Sequence, residues 1–210
     1  MIDKILTGYY NAGMNIIDAI SNRRSIRNFI DKDIDDDIIK NILKAGINAP
    51  SPKNIQPWKF IVVTRKSKYE LVKIMEDGIE NIKHSFGLLI DEKKFISSAE
   101  NTLKIMKEAP IIIFVINTRN KQQHRQTPVK KFVEIANIQS IGAAVENMLL
   151  ASLEYGVGGL WMSDIYYTIN EIGEWLQTDR QIVAAVALGY PAGSAPARTR
   201  KEMDTLVEWK

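Results

Sequence analysis

Arg23-Arg24-Ser25-Ile26-Arg27 is the densest basic constellation in the chain, and no acidic residue lies between Ile20 and Ile30. Residues 23, 25 and 27 are two apart, so an extended backbone projects them to one side. Two guanidinium forks and a hydroxyl would then face a single phosphate group. A solvated basic helix end is the competing reading of the same residues. Arg198, Arg200 and Lys201 form a second cluster after a Gly/Pro/Ala-rich turn. Taken alone, that cluster reads equally well as a basic tail.

The stretch Ala49-Pro50-Ser51-Pro52-Lys53-Asn54-Ile55-Gln56-Pro57-Trp58 is the most unusual in composition. Its prolines restrict the backbone, while Ser51, Asn54 and Gln56 offer uncharged donors and acceptors. A rigid polar loop of this kind suits a planar heteroaromatic ring with hydrogen-bonding edges. It could equally be a proline-braced connection between a helix and a strand.

Much other chemistry is excluded. Zero cysteines remove disulfides, thiolate catalysis, Cys-ligated zinc and iron–sulfur clusters. No phosphate-binding GxxxxGK[ST] loop and no HExxH motif occurs. Gly156-Val157-Gly158-Gly159 lacks the third glycine of a dinucleotide fingerprint. His84 and His124 stand alone in polar surroundings and read as solvated surface residues. No side chain is therefore assigned as catalytic and none as a metal ligand.

The 210 residues include 28 Lys+Arg and 25 Asp+Glu, a net charge of +3, too balanced for a dedicated polyanion binder. A hydrophobic content of 45% supports a sizeable core and excludes global disorder. The longest apolar runs, Ile111–Ile116 and Ile182–Leu188, are far short of a membrane span. Asp3 and Lys4 come early, with no apolar stretch of a secretion signal, so a cytoplasmic protein is expected.

The elements that must carry these residues are legible as patterns. Ile16, Ile17 and Ile20 have helical spacing in a short helix leading into the arginines. Asp35, Asp36 and Asp37 mark a helix N-terminus, followed by a stripe of Ile38, Ile39, Ile42, Leu43 and Ile47. Pro50 and Pro52 stop it. Trp58–Thr64 reads as a strand, and 66–108 as helical sequence ending before Pro110. Ile111–Asn117 is apolar without alternation, which suits a strand covered on both faces.

Thr118–Lys131, with five basic residues and no acidic one, reads as a polar surface loop or a mobile rim. Phe132–Tyr155 reads as a long helix closed by Gly156. Ala136, Ser140, Ala143, Asn147 and Ala151 form a small-residue stripe along it that permits close helix approach. Thr168 and Glu171 have capping-box spacing, and Ile182–Gly189 is another buried strand. The whole reads as a sheet covered by helices. Residues 1–15 form an N-terminal arm and 16–210 one domain.

In their order and approximate spacing, four segments resemble the nitroreductase family of flavoproteins. They are Arg23-Arg24-Ser25-Ile26-Arg27-Asn28-Phe29; Ala49-Pro50-Ser51 with Asn54, Gln56-Pro57-Trp58 and Phe60; Gly156 to Met162; and Leu188-Gly189-Tyr190-Pro191 followed by Arg198, Arg200 and Lys201. The resemblance runs from about Ile17 to Trp209. It implies an α+β fold, a mixed and largely antiparallel sheet flanked by helices, in an intertwined homodimer with FMN at the subunit interface. It places Arg23, Arg24, Ser25 and Arg27 on the FMN phosphate and ribityl chain, with Arg198 and Arg200 closing on the phosphate. Pro50, Ser51, Pro52 and Asn54 would line the ring from the partner chain. Trp161, Met162 and Ser163 would pass beside the flavin N5 region.

The activity implied is an FMN-dependent oxidoreductase. It would take hydride from NAD(P)H and reduce nitroaromatics, quinones, flavins or similar acceptors by a ping-pong mechanism. A specialised flavin-modifying or dehalogenating member, or a non-catalytic FMN storage or sensor protein, is the alternative. Neither nucleic acid nor membrane is implied as a partner. Pro52-Lys53 stands where the family often has small residues, and 66–131 matches none of its subgroups, so no substrate residue is assigned there.

Overall fold

A computed structural model of the chain describes residues 15–85, 90–122 and 127–210. Residues 1–14 of the N-terminal arm, His124 and Arg125 lie outside the described residues.

Two apolar runs build the centre of a four-stranded sheet. Strands β1 (Trp58–Thr64), β2 (Ile111–Lys121), β3 (Gly158–Met162) and β4 (Arg180–Gly189) lie in the order β1-β2-β4-β3. Every neighbouring pair is antiparallel, with Thr64 opposite Ile111, Ile111 opposite Leu188 and Gly158 opposite Gly189. Among the described residues the one parallel pairing is a bridge from Ser25 to Gly159 at the β3 edge.

The helices are α1 (Ile16–Asn22), α2 (Asp36–Ile47), α3 (Lys68–Ser85), α4 (Ile90–Glu108), α5 (Pro128–Glu154) and α6 (Ile169–Trp175). Side chains alternate across a strand, so β2 serves both faces. Ile112, Phe114 and Ile116 enter a core shared with Leu71 and Met75 of α3, Ile105 and Met106 of α4, and Ile172 of α6. Ile111, Ile113 and Val115 enter a second core with Ile39 and Ile42 of α2 and Ile141, Val145 and Met148 of α5. Burial on both sides explains why the run shows no polar alternation.

Local signals mostly act as expected. Asp35 caps α2, its Oδ1 accepting from the Asp37 N–H at 2.8 Å. Gly156, with φ 66°, closes α5. Its N–H donates to Leu153 O and that of Val157 to Ser152 O, a Schellman pair. Of the small-residue stripe, Asn147 meets α2 of the same chain. Asn147 Nδ2 donates to Ala45 O at 3.2 Å, and Ala144 is fully buried. A Cβ on Gly46 would lie 2.8 Å from Met148 Cγ, so α2 can pack this closely only with glycine there.

Two expectations are corrected. Thr118–Lys131 is not one loop: its first four residues extend β2, with Lys121 opposite Arg180. Its last four open α5, where Thr127 Oγ1 accepts from the Lys130 N–H at 3.3 Å. Pro128 therefore sits at the first helical position, where a missing N–H costs nothing. The capping box at Thr168 is not made either. That hydroxyl is buried and donates to Met75 Sδ at 2.9 Å and Ile165 O at 3.4 Å. The short helix expected at Ile16, Ile17 and Ile20 forms as α1, with the three isoleucines exposed and only Ala19 buried.

Candidate functional site

The segment after α1 is extended, and its backbone is tied to the sheet. Ile26 N–H donates to Gly159 O at 3.0 Å and Ile30 N–H to Tyr190 O at 2.9 Å. Ile26 and Phe29 go into the core, which turns Ser25 and Arg27 outward. The two arginine clusters, 171 residues apart between Arg27 and Arg198, then line one cavity of about 530 Å³. Its walls carry Arg23, Arg24, Arg27, Arg198, Arg200 and the Ser25 hydroxyl, and no acidic residue. A smaller cavity of about 300 Å³ shares Ser25, Arg27, Ala195 and Pro196 with it and adds Asn28 and Ser194.

The guanidinium groups are unequally engaged. Arg24 Nη1 curls back to Ser21 O at 2.7 Å and Arg23 O at 2.8 Å, near the carbonyl end of α1. Arg23 Nε donates to Glu146 Oε1 of α5 at 2.9 Å. Arg27 reaches only Ser25 O, at 3.2 Å, and Arg200 only Arg198 O, at 3.3 Å. Among the described residues Arg24, Arg27, Arg198 and Arg200 have no carboxylate partner. Like charges held together without counterions suit an anion of more than one charge.

The proline loop is held by its own hydrogen bonds. Ser51 Oγ accepts from the Gln56 N–H at 2.9 Å, and Asn54 N–H donates to Ser51 O at 3.0 Å. Lys53, Asn54 and Gln56 adopt left-handed φ of 54°, 53° and 49°. Such conformations cost about 1–3 kcal/mol each at non-glycine residues and concentrate at ligand sites. Pro52, Lys53 and Asn54 are exposed, and Pro50, Ser51, Pro52 and Asn54 do not line the arginine cavity of their own chain.

Trp161, Met162 and Ser163 continue along the strand that Ser25 and Ile26 join at Gly159, about 7–13 Å further on at the usual strand rise. Met162 is buried in the sheet's core, so only its backbone faces the surface. Trp161 and Ser163 are exposed. Asp164 follows at once and accepts from Ser98 and Thr102 of α4. Asn28 stood inside the arginine motif with no role assigned, while Glu146, Ser194 and Asp164 went unremarked, because single polar residues remote in sequence carry no spacing signal. His84 is exposed at the end of α3, away from the lining of either cavity.

No cluster of three or more potential metal ligands occurs among the described residues. No described helix is long and apolar enough to cross a membrane.

Residues 20–190 match the nitroreductase family model. A protein of Archaeoglobus fulgidus with a provisional NADH dehydrogenase/NAD(P)H nitroreductase name is 30% identical over 177 residues, 82% of this chain and 83% of that one. The iodotyrosine deiodinase of Thermotoga neapolitana is 27% identical over 199 residues, 90% of this chain and 95% of its own. A Desulfovibrio desulfuricans protein, provisionally called a nitroreductase and crystallised in complex with FMN, superposes with a TM-score of 0.68 at 27% identity. That match covers 94% of this chain and 97% of the other.

Proposed function

The chain belongs to the nitroreductase family of oxidoreductases, and from that premise we propose that it is an FMN-dependent enzyme taking hydride from NAD(P)H and passing it to a small oxidised acceptor. The observation that carries the reading is the convergence of Arg27, Arg198 and Arg200 on one acid-free cavity. A phosphomonoester bears about two negative charges near neutral pH. Three guanidinium groups without carboxylate partners, with Ser25 beside them, fit such a group. Bound there, FMN would supply the hydride chemistry that no side chain of this protein can.

The roles of the residues follow from their chemistry. Arg27 and Arg200 are the phosphate forks, with Arg198 beside them. Arg23 contributes through the nitrogens Glu146 leaves open, and Arg24 holds the end of α1 as well as the cavity wall. Asn28 and Ser194 offer neutral hydrogen bonds to a polyol chain in the adjoining cavity. The Trp161–Ser163 segment presents a strand edge to one side of the ring, Met162 through its backbone alone.

Pro50, Ser51, Pro52 and Asn54 come from a second copy of the chain, a reading supported by their absence from this chain's own cavity. Exposed Val129, Phe132, Val133, Ile135 and Ile138 on α5 give that copy an apolar surface to bury.

Purified protein should be yellow, and NAD(P)H should bleach it anaerobically. Reoxidation by a panel of quinones, nitroaromatics, free flavins and halogenated aromatics then identifies the acceptor. Colourless protein that cannot be reconstituted with FMN overturns the proposal, and coloured protein that NAD(P)H never bleaches makes it a flavin carrier. A dehalogenating specialisation is the second reading, favoured by the likeness to the Thermotoga neapolitana deiodinase.

A further inference from the structure

Beyond the ring-side segment, one carboxylate oxygen joins two distant parts of the chain. Ser98 Oγ and Thr102 Oγ1 both donate to Asp164 Oδ2, at 2.8 and 3.2 Å. The two hydroxyls are one turn apart on α4 and share a face. They reach across 66 and 62 residues of sequence. Hydrogen bonds to an ionised acceptor are roughly twice as strong as neutral ones.

The backbone around Asp164 is fixed from below. Ile165 is fully buried in the core, and Tyr166 Oη donates to Val183 O of β4 at 3.1 Å. From above, α3 and α4 hang on the same segment. Thr168 Oγ1 donates to Met75 Sδ, and Phe95 packs edge-on to Tyr167 with ring centroids 6.5 Å apart. The carboxylate is the strongest of these upper attachments. Ser98, Thr102 and Asp164 take no part in lining the arginine cavity.

We propose that Asp164 is a positioning residue: it docks α4 beside the ring-side segment and so sets how large an acceptor reaches the site. The proposal rests on the flavin reading above, because Ser163, next to Asp164, belongs to the strand edge assigned there to the ring. Ile105 and Met106 hold the C-terminal end of α4 in the core, so the carboxylate acts on the part of α4 before them, whose place can be changed without touching the cofactor's phosphate site.

The test separates charge, clamp and cofactor. Asp164→Ala and the double variant S98A/T102V each break the clamp, the second with the carboxylate intact. Asp164→Asn keeps an acceptor oxygen. Hydrogen exchange is read over residues 95–105, in protein stripped of FMN and in loaded protein. Exchange should accelerate at least tenfold in the first two variants and less than threefold in Asp164→Asn. In loaded enzyme the kcat/KM ratio of a bulky naphthoquinone to benzoquinone should rise at least fivefold in the first two. FMN affinity should stay within twofold throughout.

Unchanged exchange in both clamp variants overturns the proposal, and so does faster exchange with an unchanged acceptor ratio. Should Asp164→Ala fail to fold, S98A/T102V carries the same comparison. Failure of the unmodified chain to bind FMN would instead overturn the flavin reading, while the exchange measurement on FMN-free protein still decides the clamp.

Discussion

Arg23 Nε and Glu146 Oε1, 2.9 Å apart, make the only ion pair that the cavity arginines form among the described residues. The pair ties the arginine cavity to α5, so a helix expected at the subunit contact also holds a residue of the candidate site. Both side chains are part-exposed, which limits the pair to about 1 kcal/mol or less of stability. Glu146→Gln should therefore leave Tm nearly unchanged. It should tighten FMN binding about two- to fivefold at low salt by freeing a cation, with the gain fading at higher ionic strength. Fluorescence titration at two salt concentrations checks this; weaker binding would mean that Glu146 serves to orient Arg23.

Arg27→Ala and Arg200→Ala each remove a charge-assisted contact without opening the core. FMN affinity should fall roughly ten- to a hundredfold, about 1.5–3 kcal/mol. Full flavin content in both purified variants would refute the phosphate assignment.

Neighbouring positions on α5 separate fold from assembly. Ala144 is fully buried beneath α2, so Ala144→Trp should overpack the chain itself by about 1–3 kcal/mol or more. Ala143 is half-buried, and Ala143→Trp should spare the fold while weakening dimerisation and releasing flavin with it. Size exclusion with absorbance at the flavin band distinguishes the two. A monomer that keeps FMN would contradict a site shared between chains.

Lys68 supplies a pH dependence with a definite sign. It is buried, and Nζ donates to Lys107 O and Ala109 O at the end of α4. Burial first, and the nearby Arg65 charge second, push its pKa down to about 8 from an ordinary 10.5. Between those values the unfolded chain holds a proton that the folded one has lost, so stability rises with pH, by at most about 1.4 kcal/mol per unit. Below pH 8 both states are protonated and the effect is flat. Tyr166, Tyr167 and Tyr190 have phenols raised by burial, and they oppose the rise above about pH 10. Urea unfolding across pH 7–10 should show an increase in the native chain that Lys68→Met lacks.

His84→Ala should leave anaerobic flavin reduction within about threefold, far less than the 10²–10⁴-fold loss expected for a general acid or base. Initial rates at several fixed acceptor concentrations should give parallel double-reciprocal lines. Intersecting lines would rule out ping-pong turnover.

The apolar strands, the capped ends of α2 and α5, and the extended arginine segment were legible because each depends on residues close in sequence. The end of β2 was not. Thr118–Lys121 have no strand-like pattern, and their pairing rests on backbone bonds and on Asn117, whose amide donates to Asn120 and Gln181. The polar, basic composition before Phe132 hid the first turn of α5, which Pro128 opens behind the Thr127 cap. Motif order brought the two arginine clusters to one site on paper, and the cavity does so in space. Glu146 and Asp164 stayed hidden, since an acidic residue matters only through the partner that folding brings to it.

The bridge between Ser25 and Gly159 has a consequence for solubility. Ser25 and Ile26 cover the outer edge of β3 at Gly159, where exposed strand backbone would otherwise template pairing with other chains. The same segment carries the arginines, whose mutual repulsion favours peeling this cover away until an anion neutralises them. On the proposed flavin reading, holding the anion and keeping the sheet edge closed would be one act, and protein stripped of flavin at low ionic strength should aggregate sooner than when loaded.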